Sequence, residues 1–251
     1  MTEPTLVGRV AVITGGGAGI GRAAALTLAD EGADVALFDI DLDGAQETAK
    51  LVQAKGRKAM AAAVDVSDGD AVQAGLEAAR TALGTPLILF SNAGIGNKPT
   101  LFEKETFEGW KRMFSVHVDG AFHTTHAMLP GMLQAGWGRI VVTSSIAATM
   151  GIKGVVSYGA AKAALIGFVR NLALEYAAKG ITVNAVAPGY IDTAMFRAVG
   201  EGYTDKVEAT IPMRHRGQPE DIAAAVGYLC SERGRYMTGQ ILSPNGGIWL
   251  P

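Results

Sequence analysis

The stretch RVAVITGGGAGIGR, residues 9–22, joins a short apolar run to a cluster of glycines and then to a segment of helical composition. Residues 9–13 are rich in valine and isoleucine, as buried strands are. Gly15, Gly19 and Gly21 follow with the spacing G-x-x-x-G-x-G, which differs from the G-x-G-x-x-G dinucleotide fingerprint. Both spacings bind phosphate on the same physical basis, because a tight glycine turn lets a pyrophosphate approach the amides at a helix N-terminus. We interpret the stretch as a dinucleotide-binding turn, although any strand-to-helix turn can hold glycines.

Short apolar runs alternate with longer periodic segments along the rest of the chain. Strands are predicted at 9–13, 34–38, 59–64, 86–90, 139–143, 182–186 and 240–243, and helices at 19–31, 41–55, 68–83, 105–134, 155–178 and 219–230. The strands are continuously apolar, which a sheet covered on both faces requires. With no linker or repeat in the sequence, this alternation predicts an α/β fold: one doubly wound Rossmann-type domain over residues 1–251, with about seven parallel strands.

Composition excludes several classes of function. The chain has 251 residues with 22 basic and 24 acidic side chains, a net charge of −2, so nothing indicates a nucleic-acid or anionic-membrane partner. Its one cysteine, Cys230, excludes an internal disulfide and a cysteine-based metal cluster, and we expect an inert buried thiol and no metal. No signal peptide and no membrane-length apolar run is seen, which predicts a soluble, cytoplasmic protein.

Two acidic residues follow predicted strands. Asp39 ends the second strand, 18 residues after Gly21, where a carboxylate can accept both adenosine ribose hydroxyls. Because it would repel a 2′-phosphate, Asp39 favours NAD over NADP; the alternative is a solvated residue at a strand end. Asp65 follows the third strand and has two interpretations, contact with the adenine edge or a simple capping role at the next helix.

The segment SYGAAKAAL, residues 157–165, places Tyr158 and Lys162 four residues apart. At this spacing both side chains rise from one face of a helix. An amphipathic helix with a packed tyrosine and a solvated lysine would show the same pattern. The segment alone does not distinguish that arrangement from a catalytic pair.

Five motifs in register resemble the short-chain dehydrogenase/reductase family over nearly the whole chain. They are TGGGAGIG (14–21), NAG (92–94), a serine at Ser145 lying 13 residues before Tyr158, YGAAK (158–162) and PGYIDT (188–193). The resemblance implies an oxidoreductase with Ser145, Tyr158 and Lys162 as catalytic residues. It also implies a cofactor site formed by Gly15, Gly17, Gly19, Ile20, Gly21, Asp39, Ile40, Asp65, Val66, Asn92, Ala93, Gly94, Tyr158, Lys162, Pro188, Gly189, Ile191 and Thr193.

Elementary electrostatics supports an acid–base role for Tyr158. An ammonium about 4 Å from the phenolate, at an effective dielectric of about 20, would lower the pKa of Tyr158 by up to ~3 units, less a desolvation cost. Tyr158 would then exchange a proton near neutral pH. Ser145 would hold the same substrate oxygen as charge develops. By resemblance, Lys162 also holds the nicotinamide ribose.

His117 breaks the family pattern. In SVHVDGAF it stands where the family usually has an asparagine, whose backbone carbonyl is implied to hold a relay water linked to Lys162. Three interpretations stay open: a buried, locally hydrogen-bonded residue, a member of a proton relay, or a mark of altered chemistry. Its ordinary pKa makes the relay physically possible.

Other segments carry weaker expectations. The mixed segment 189–218 is interpreted as a lid over a site or as a plain long loop. Arg214 and His215 indicate a solvated charge run. Asn245 replaces the family's usual aspartate, and we attach no chemistry to it.

Three functions are compatible with these patterns. The first is an NAD-dependent dehydrogenase for a secondary alcohol or ketone. The second is an NADPH-dependent 3-oxoacyl thioester reductase, which Ala18 and Asp39 disfavour. The third is a non-catalytic dinucleotide-binding regulator; an intact Ser145, Tyr158 and Lys162 set argues against it, because a protein that only binds the cofactor does not need that set. By resemblance, helices 105–134 and 155–178 and the C-terminal strand would form the contacts of a homotetramer.

Overall fold

Seven strands pair in parallel in the computed structural model, which describes residues 4–96, 98–198 and 207–250. They are β1 (Val10–Thr14), β2 (Asp34–Asp39), β3 (Ala59–Ala63), β4 (Ile88–Ser91), β5 (Gly138–Thr143), β6 (Ile181–Val186) and β7 (Ile241–Leu242). Their order across the sheet is β3-β2-β1-β4-β5-β6-β7. The order reverses between β1 and β4, which is the switch point where ligands bind in open α/β sheets. The predicted Rossmann-type sheet is confirmed.

Continuous burial of the central strands explains their apolar composition. Every residue of β1, β4, β5 and β6 is buried, whereas the edge strands β3 and β7 are partly exposed. Apolar clusters lie on both faces of the sheet, one against the helices that follow β1 and β2 and the last long helix, the other against the helices between β3 and β6. A strand covered on both faces has no polar face, as the sequence predicted.

The helices lie close to their predicted bounds. They are α1 (Gly19–Asp30), α2 (Leu42–Ala54), α3 (Gly69–Leu83), α4 (Phe107–Phe114), α5 (Gly120–Ala135), α6 (Val156–Tyr176), the short α7 (Ala194–Arg197) and α8 (Pro219–Cys230). Asp68 caps α3 by accepting the N–H groups of Asp70 and Ala71, and Gln218 caps α8 with Pro219 in its first turn. Within the described residues, no helix has both the length and the apolarity that a membrane crossing needs.

The helix predicted over 105–134 is interrupted, which corrects that prediction. Between α4 and α5 the chain forms a π turn, Ser115–Asp119, in which the Gly120 N–H bonds to the Ser115 carbonyl five residues back. A π turn inserts an extra residue into a helix and is frequent at functional sites. The 3.6-residue periodicity of the sequence does not reveal it. The turn contains His117, the residue that departs from the family pattern.

Cys230 ends α8 as a buried free thiol. Burial raises the pKa of its thiol to about 12, despite the opposing effect of Arg139. The thiol is therefore protonated at neutral pH and unreactive, as the sequence predicted.

Candidate active site

A cavity of about 700 Å³ opens at the carboxyl ends of β1, β4 and β5. Its walls come from the glycine turn after β1, the loops after β4 and β5, the start of α6, and the segment that follows β6. All the chemistry-bearing segments predicted from the sequence therefore meet at one edge of the sheet.

The glycine turn lies at the floor of this cavity. Gly15 and Gly19 adopt left-handed backbone angles, with φ of 64° and 51°. A Cβ at Gly21 would lie 1.9 Å from the Gly15 carbonyl oxygen, which no side chain can do. Ala18 and Ile20 also line the cavity there. The close approach of backbone to backbone leaves the N-terminus of α1 open to a phosphate group.

Asn92 clamps the loop after β4 onto the glycine turn. Its amide Nδ2 donates to the carbonyl oxygens of Thr14 and Gly15, at 3.2 and 3.3 Å. The Thr14 hydroxyl in turn accepts the N–H groups of Asn92 and Ala93, at 2.9 and 3.0 Å. Three adjacent strands are tied together, because Asn92 Oδ1 also accepts the Thr143 hydroxyl at 3.2 Å.

Asp39 lies at the end of β2 and faces the same turn. Its Oδ2 accepts the Gly17 N–H at 2.8 Å, and its Oδ1 accepts the Asp41 N–H at 3.0 Å. A Cβ at Gly17 would approach Asp39 Oδ2 to 2.9 Å and the Ala45 nitrogen to 3.2 Å, so the carboxylate packs closely against the turn. Ile40, the next residue, is 71% exposed and lines the cavity. The carboxylate is thus held at the cavity wall by two backbone donors.

Asp65 and Val66 lie farther along the same wall. Asp65 Oδ1 accepts both the N–H and the hydroxyl of Ser67, at 2.9 and 2.6 Å. These hydrogen bonds, with a smaller effect of Arg112, hold the pKa of Asp65 below its ordinary value. Both interpretations of this acidic cluster have a counterpart in the structure, because Asp68 caps α3 while Asp65 lines the cavity.

Ser145, Tyr158 and Lys162 converge above the end of β5. Ser145 and Tyr158 line the same part of the cavity, and Ser145 Oγ accepts the Ala147 N–H at 3.1 Å. Lys162 is buried and donates to the Thr143 carbonyl at 2.7 Å. Its Nζ lies 5.7 Å from the centre of the Tyr158 ring. The pair expected from the i, i+4 spacing is therefore formed at the cavity wall, beside the serine.

His117 is buried beside this group and also lines the cavity. Its Nε2 lies 2.9 Å from the Ile95 carbonyl oxygen and 3.3 Å from the Ile95 nitrogen. The shorter contact favours a protonated Nε2 that donates to the carbonyl, which leaves Nδ1 as an acceptor with no partner among the described residues. The imidazole meets the Tyr158 ring edge-on, with centroids 5.5 Å apart. His117 therefore joins the loop after β4 to the tyrosine.

Known proteins resemble the chain over almost its full length. A family profile described as "Enoyl-(Acyl carrier protein) reductase" matches residues 15–248. The 3-oxoacyl-[acyl-carrier-protein] reductase FabG of Pseudomonas aeruginosa is 39% identical over 98% of this chain and 99% of its own. Cyclohexanol dehydrogenase of an Acinetobacter species is 38% identical, over 92% and 91% of the two chains. These matches confirm the resemblance that the motifs indicated.

The chain is a short-chain dehydrogenase/reductase.

A solved structure of this family supports the same conclusion. The 7α-hydroxysteroid dehydrogenase complexed with NADH and 7-oxo glycochenodeoxycholic acid has a TM-score of 0.93 and is 35% identical, over 98% of this chain and 96% of its own. The named relatives are all oxidoreductases. The oxidoreductase class that the sequence predicted is therefore confirmed.

In this dehydrogenase/reductase, the environment of Tyr158 overturns the predicted direction of its pKa. Burial raises the pKa of Tyr158 above its ordinary value, and the neighbouring Ser145 hydroxyl offsets only part of the rise. Burial also lowers the pKa of Lys162 to about 7, because a buried ammonium loses its hydration. Lys162 is thus a weaker source of positive charge than a solvated lysine would be. The phenol is protonated at neutral pH in this environment.

The predicted cofactor residues of this short-chain enzyme fall around the cavity. Those lining it are Gly15, Gly19, Ile20, Asp39, Ile40, Asp65, Val66, Asn92, Ala93, Gly94, Tyr158, Lys162, Pro188, Gly189, Ile191 and Thr193. Gly17 and Gly21 do not line it. Gly17 supports Asp39 through its N–H, and Gly21 packs against Gly15.

The described part of segment 189–218 supports the lid interpretation. Thr193 caps α7 by accepting the Phe196 N–H, and its Cγ2 would lie 3.4 Å from a Cβ at Gly19. Cavity-lining residues of this segment are Gly189, Tyr190, Ile191, Thr193, Ala194, Met195, Phe196 and Ala198. The segment thus runs over the glycine turn, and residues 199–206 lie outside the described residues.

Asn245, Arg214 and His215 lie away from the reacting groups. Asn245 Nδ2 donates to the Ser243 hydroxyl and the Trp249 carbonyl, and its Cα packs where a Cβ on Gly189 would stand. Arg214 and His215 are exposed, as a solvated charge run would be. Asn245 therefore holds the C-terminal turn against the segment after β6.

Sequence reasoning missed three residues that organise the site. The Thr143 carbonyl accepts a hydrogen bond from the Lys162 ammonium, and the Thr143 hydroxyl donates to Asn92 Oδ1. Ile95 holds His117. Arg22 donates through Nη2 to the Gly17 carbonyl at 2.6 Å and fixes the turn beside Asp39. The position of Arg22 one residue after Gly21 was a usable signal, whereas the contacts of Thr143 and Ile95 depend on neighbours far apart in sequence.

His117 should act as a neutral positioning residue. Burial, aided by the charge of Lys162, lowers its pKa to about 3, so the imidazole is uncharged throughout the working range of pH. We expect His117→Asn to leave the pH dependence of kcat unchanged and to alter kcat only a few-fold, because an amide can still donate to Ile95. His117→Ala should lose more, because Ile95 and Tyr158 lose their support. The measurement is kcat against pH for the three proteins with saturating cofactor.

The pH dependence of the free energy of unfolding provides the control for His117→Asn. Between pH 6.5 and about 3 the unfolded chain protonates this histidine while the folded protein does not. The free energy of unfolding of the wild type should therefore fall as pH drops through this window, by up to about 1.4 kcal/mol per unit, and His117→Asn should flatten the slope. A loss of about tenfold or more in kcat for both variants, with folding intact by circular dichroism, would instead make the imidazole itself part of the proton path.

Proposed function

We propose that the protein is an NAD-dependent dehydrogenase that interconverts a secondary alcohol and its ketone, with Tyr158 as general acid and base. The observation that carries the proposal is the convergence of Ser145, Tyr158 and the buried Lys162 at the wall of a cavity that the glycine turn also lines. The other walls are largely apolar, with Ile95, Ile146, Val155 and Met195 among them. Such walls suit the carbon skeleton of an alcohol or ketone.

The residues present fit a nicotinamide dinucleotide. The left-handed glycine turn lets a pyrophosphate approach the backbone, and Asp39 is held where ribose hydroxyls could reach its carboxylate. Ala18 and Ile40 line the wall near Asp39 and offer no positive charge to a 2′-phosphate. NADH in the related hydroxysteroid dehydrogenase supports this choice. When bound, the cofactor would supply the hydride transfer.

Side chains of the protein donate the proton and stabilise the charges that its transfer creates. A protonated Tyr158 is ready to donate to the oxygen of a ketone being reduced, and Ser145 holds the same oxygen as negative charge develops. With a pKa of about 7, Lys162 changes charge near neutrality and can stabilise the phenolate that Tyr158 leaves behind. The Thr143 carbonyl fixes the position of the ammonium.

A second candidate function is reduction of a 3-oxoacyl thioester. It is favoured by the 39% identity to the Pseudomonas aeruginosa reductase over 98% of this chain. Asp39 and the lack of a cation at Ala18 count against the NADPH form of that reaction. The regulator without turnover has no observation in its favour, because Ser145, Tyr158 and Lys162 are all in place.

A panel of substrates with both cofactors tests the proposal. Simple secondary alcohols, alicyclic alcohols, their ketones and a 3-oxoacyl thioester would each be assayed with NAD(H) and NADP(H). We expect turnover of an alcohol or ketone pair with NAD(H). Turnover restricted to the thioester with NADPH would select the second function, and no turnover of any substrate would refute both.

We also propose that the protein is a homotetramer in solution. Val156 and Leu174 on α6 and Phe122 on α5 project exposed apolar side chains, and Leu174 is 84% exposed. The sheet covers the opposite face of both helices, so a second copy is the occupant that would bury these side chains. We expect sedimentation at micromolar concentration to give four times the mass of one chain; a single-chain mass would refute the assembly. The cytoplasmic location stays a prediction, for which cell fractionation is the test.

A further inference from the structure

A second cavity, of about 380 Å³ and wide open to solvent, adjoins the active-site cavity. It is lined by Pro99, Leu101, Ile152, Lys153 and Gly154. Pro99 and Ile152 line both cavities, so the two spaces meet across these two side chains. A molecule that extends outward from Tyr158 past Ile152 would enter the second cavity.

Two loops hold this route in place. One follows β4 and contains Pro99 and Thr100; the other follows β5 and contains Ile152 and Gly154. The Thr100 N–H donates to the Gly154 carbonyl at 2.8 Å. Gly154 has a φ of 86°, and a Cβ there would lie 3.0 Å from Pro99 Cβ. The loops are therefore closely packed and hydrogen-bonded to each other, so the route has defined walls.

The route changes from apolar to cationic along its length. Near Ser145 its walls are Ile146, Val155 and Ile152, and farther out they are Pro99 and Leu101. Lys153 lies in the outer cavity, and Lys98 lines the active-site cavity beside Pro99.

No carboxylate of the described residues neutralises either lysine. Over residues 4–96, 98–198 and 207–250, no carboxylate lies within ion-pair distance of Lys98 or Lys153. Glu103 is close in sequence but lines neither cavity, and Glu105 accepts the Ser157 hydroxyl at 3.0 Å. The outer end of the route therefore carries uncompensated positive charge.

We propose that the substrate is amphipathic: an apolar skeleton with the alcohol or ketone at one end and a carboxylate at the other, which Lys153 binds in the outer cavity. This inference rests on the proposed function, because it places the reacting carbon at Tyr158. The apolar walls accept the skeleton, and the unpaired ammonium accepts the anion. Lys153 is exposed, so the contact sets substrate preference and capture more than overall affinity.

The test compares a keto acid, whose ketone and carboxylate lie at opposite ends of an alicyclic skeleton, with its methyl ester. In Lys153→Gln we expect KM for the acid to rise about fivefold with kcat unchanged, and KM for the ester to stay constant. Lys153→Arg should restore the wild-type KM. Lys104→Gln is the matched control, because Lys104 is an exposed lysine near the route that lines neither cavity, and it should change neither value. Added salt should weaken the preference of the wild type for the acid.

Three results would overturn the inference. One is an equal effect of Lys153→Gln on acid and ester, and another is an equal effect of Lys104→Gln and Lys153→Gln on the acid. The third is a Lys153-dependent preference for a coenzyme A thioester over the keto acid. Failure of the proposed function is a separate result, in which neither the acid nor the ester is reduced with either cofactor.

Discussion

Tyr158→Phe is expected to lower kcat by about a thousandfold, because it removes the proton that the reaction needs and little else. The lost hydroxyl lies on the cavity wall with Ser145, and burial keeps it protonated at neutral pH. The ring remains, so its edge-on contact with His117 is preserved. The fold and the glycine turn should be unaffected.

The measurement pairs turnover with cofactor binding. NADH binding, followed by the fluorescence of the reduced nicotinamide, should be close to that of the wild type in Tyr158→Phe. Ser145→Ala is the comparison variant, since it keeps the acid and removes the second hydrogen bond to the oxygen, for which we expect a loss of about a hundredfold. If Tyr158→Phe retained a tenth or more of the wild-type rate, another group would be the acid.

Asp39 should decide which cofactor is used. We expect the wild type to have a much higher kcat/KM with NAD than with NADP, because a 2′-phosphate would meet the carboxylate that Gly17 and Asp41 hold at the cavity wall. Asp39→Ala combined with Ile40→Arg should shift the ratio of the two kcat/KM values toward NADP by about a hundredfold. The double change removes a carboxylate that repels the 2′-phosphate and adds a guanidinium that attracts it. Ile40 is suited to the change because its side chain is exposed at this wall.

Asp39→Asn separates charge from structure in this experiment. The amide oxygen of Asn can still accept one of the two backbone N–H groups, so the turn keeps part of its support while the charge is lost. We expect an intermediate ratio, with the NAD reaction weakened by the poorer acceptor for ribose hydroxyls. Equal kcat/KM of the wild type with NAD and NADP would overturn the assignment of Asp39.

Much of the fold and the site could be predicted because the signals are local. Strand composition, the glycine spacing after β1 and the caps at Asp68 and Gln218 each depend on a few neighbouring residues. The Tyr158–Lys162 pair follows from helix geometry alone. The order of the motifs then indicated the family. Because the sheet is parallel, the segments that carry these motifs meet at the carboxyl edge of its strands.

The direction of the Tyr158 pKa could not be predicted in the same way. The spacing set the distance to Lys162, but not the burial that raises the pKa of Tyr158 and lowers that of Lys162 to about 7. Desolvation depends on every atom around a group, and those atoms come from several distant segments. Pair spacing therefore indicates which side chains lie together, whereas their protonation depends on the packing.

The sequence by itself determined the strands, the glycine turn, Asp39, and the identities of Ser145, Tyr158 and Lys162, because each is encoded in a short pattern. Only the tertiary structure decided the π turn around His117, its bond to Ile95 and the outer cavity at Lys153. These features arise where the loops after β4 and β5 meet each other and the helix between them. Contacts between segments that are distant in sequence leave no periodic signal in either segment.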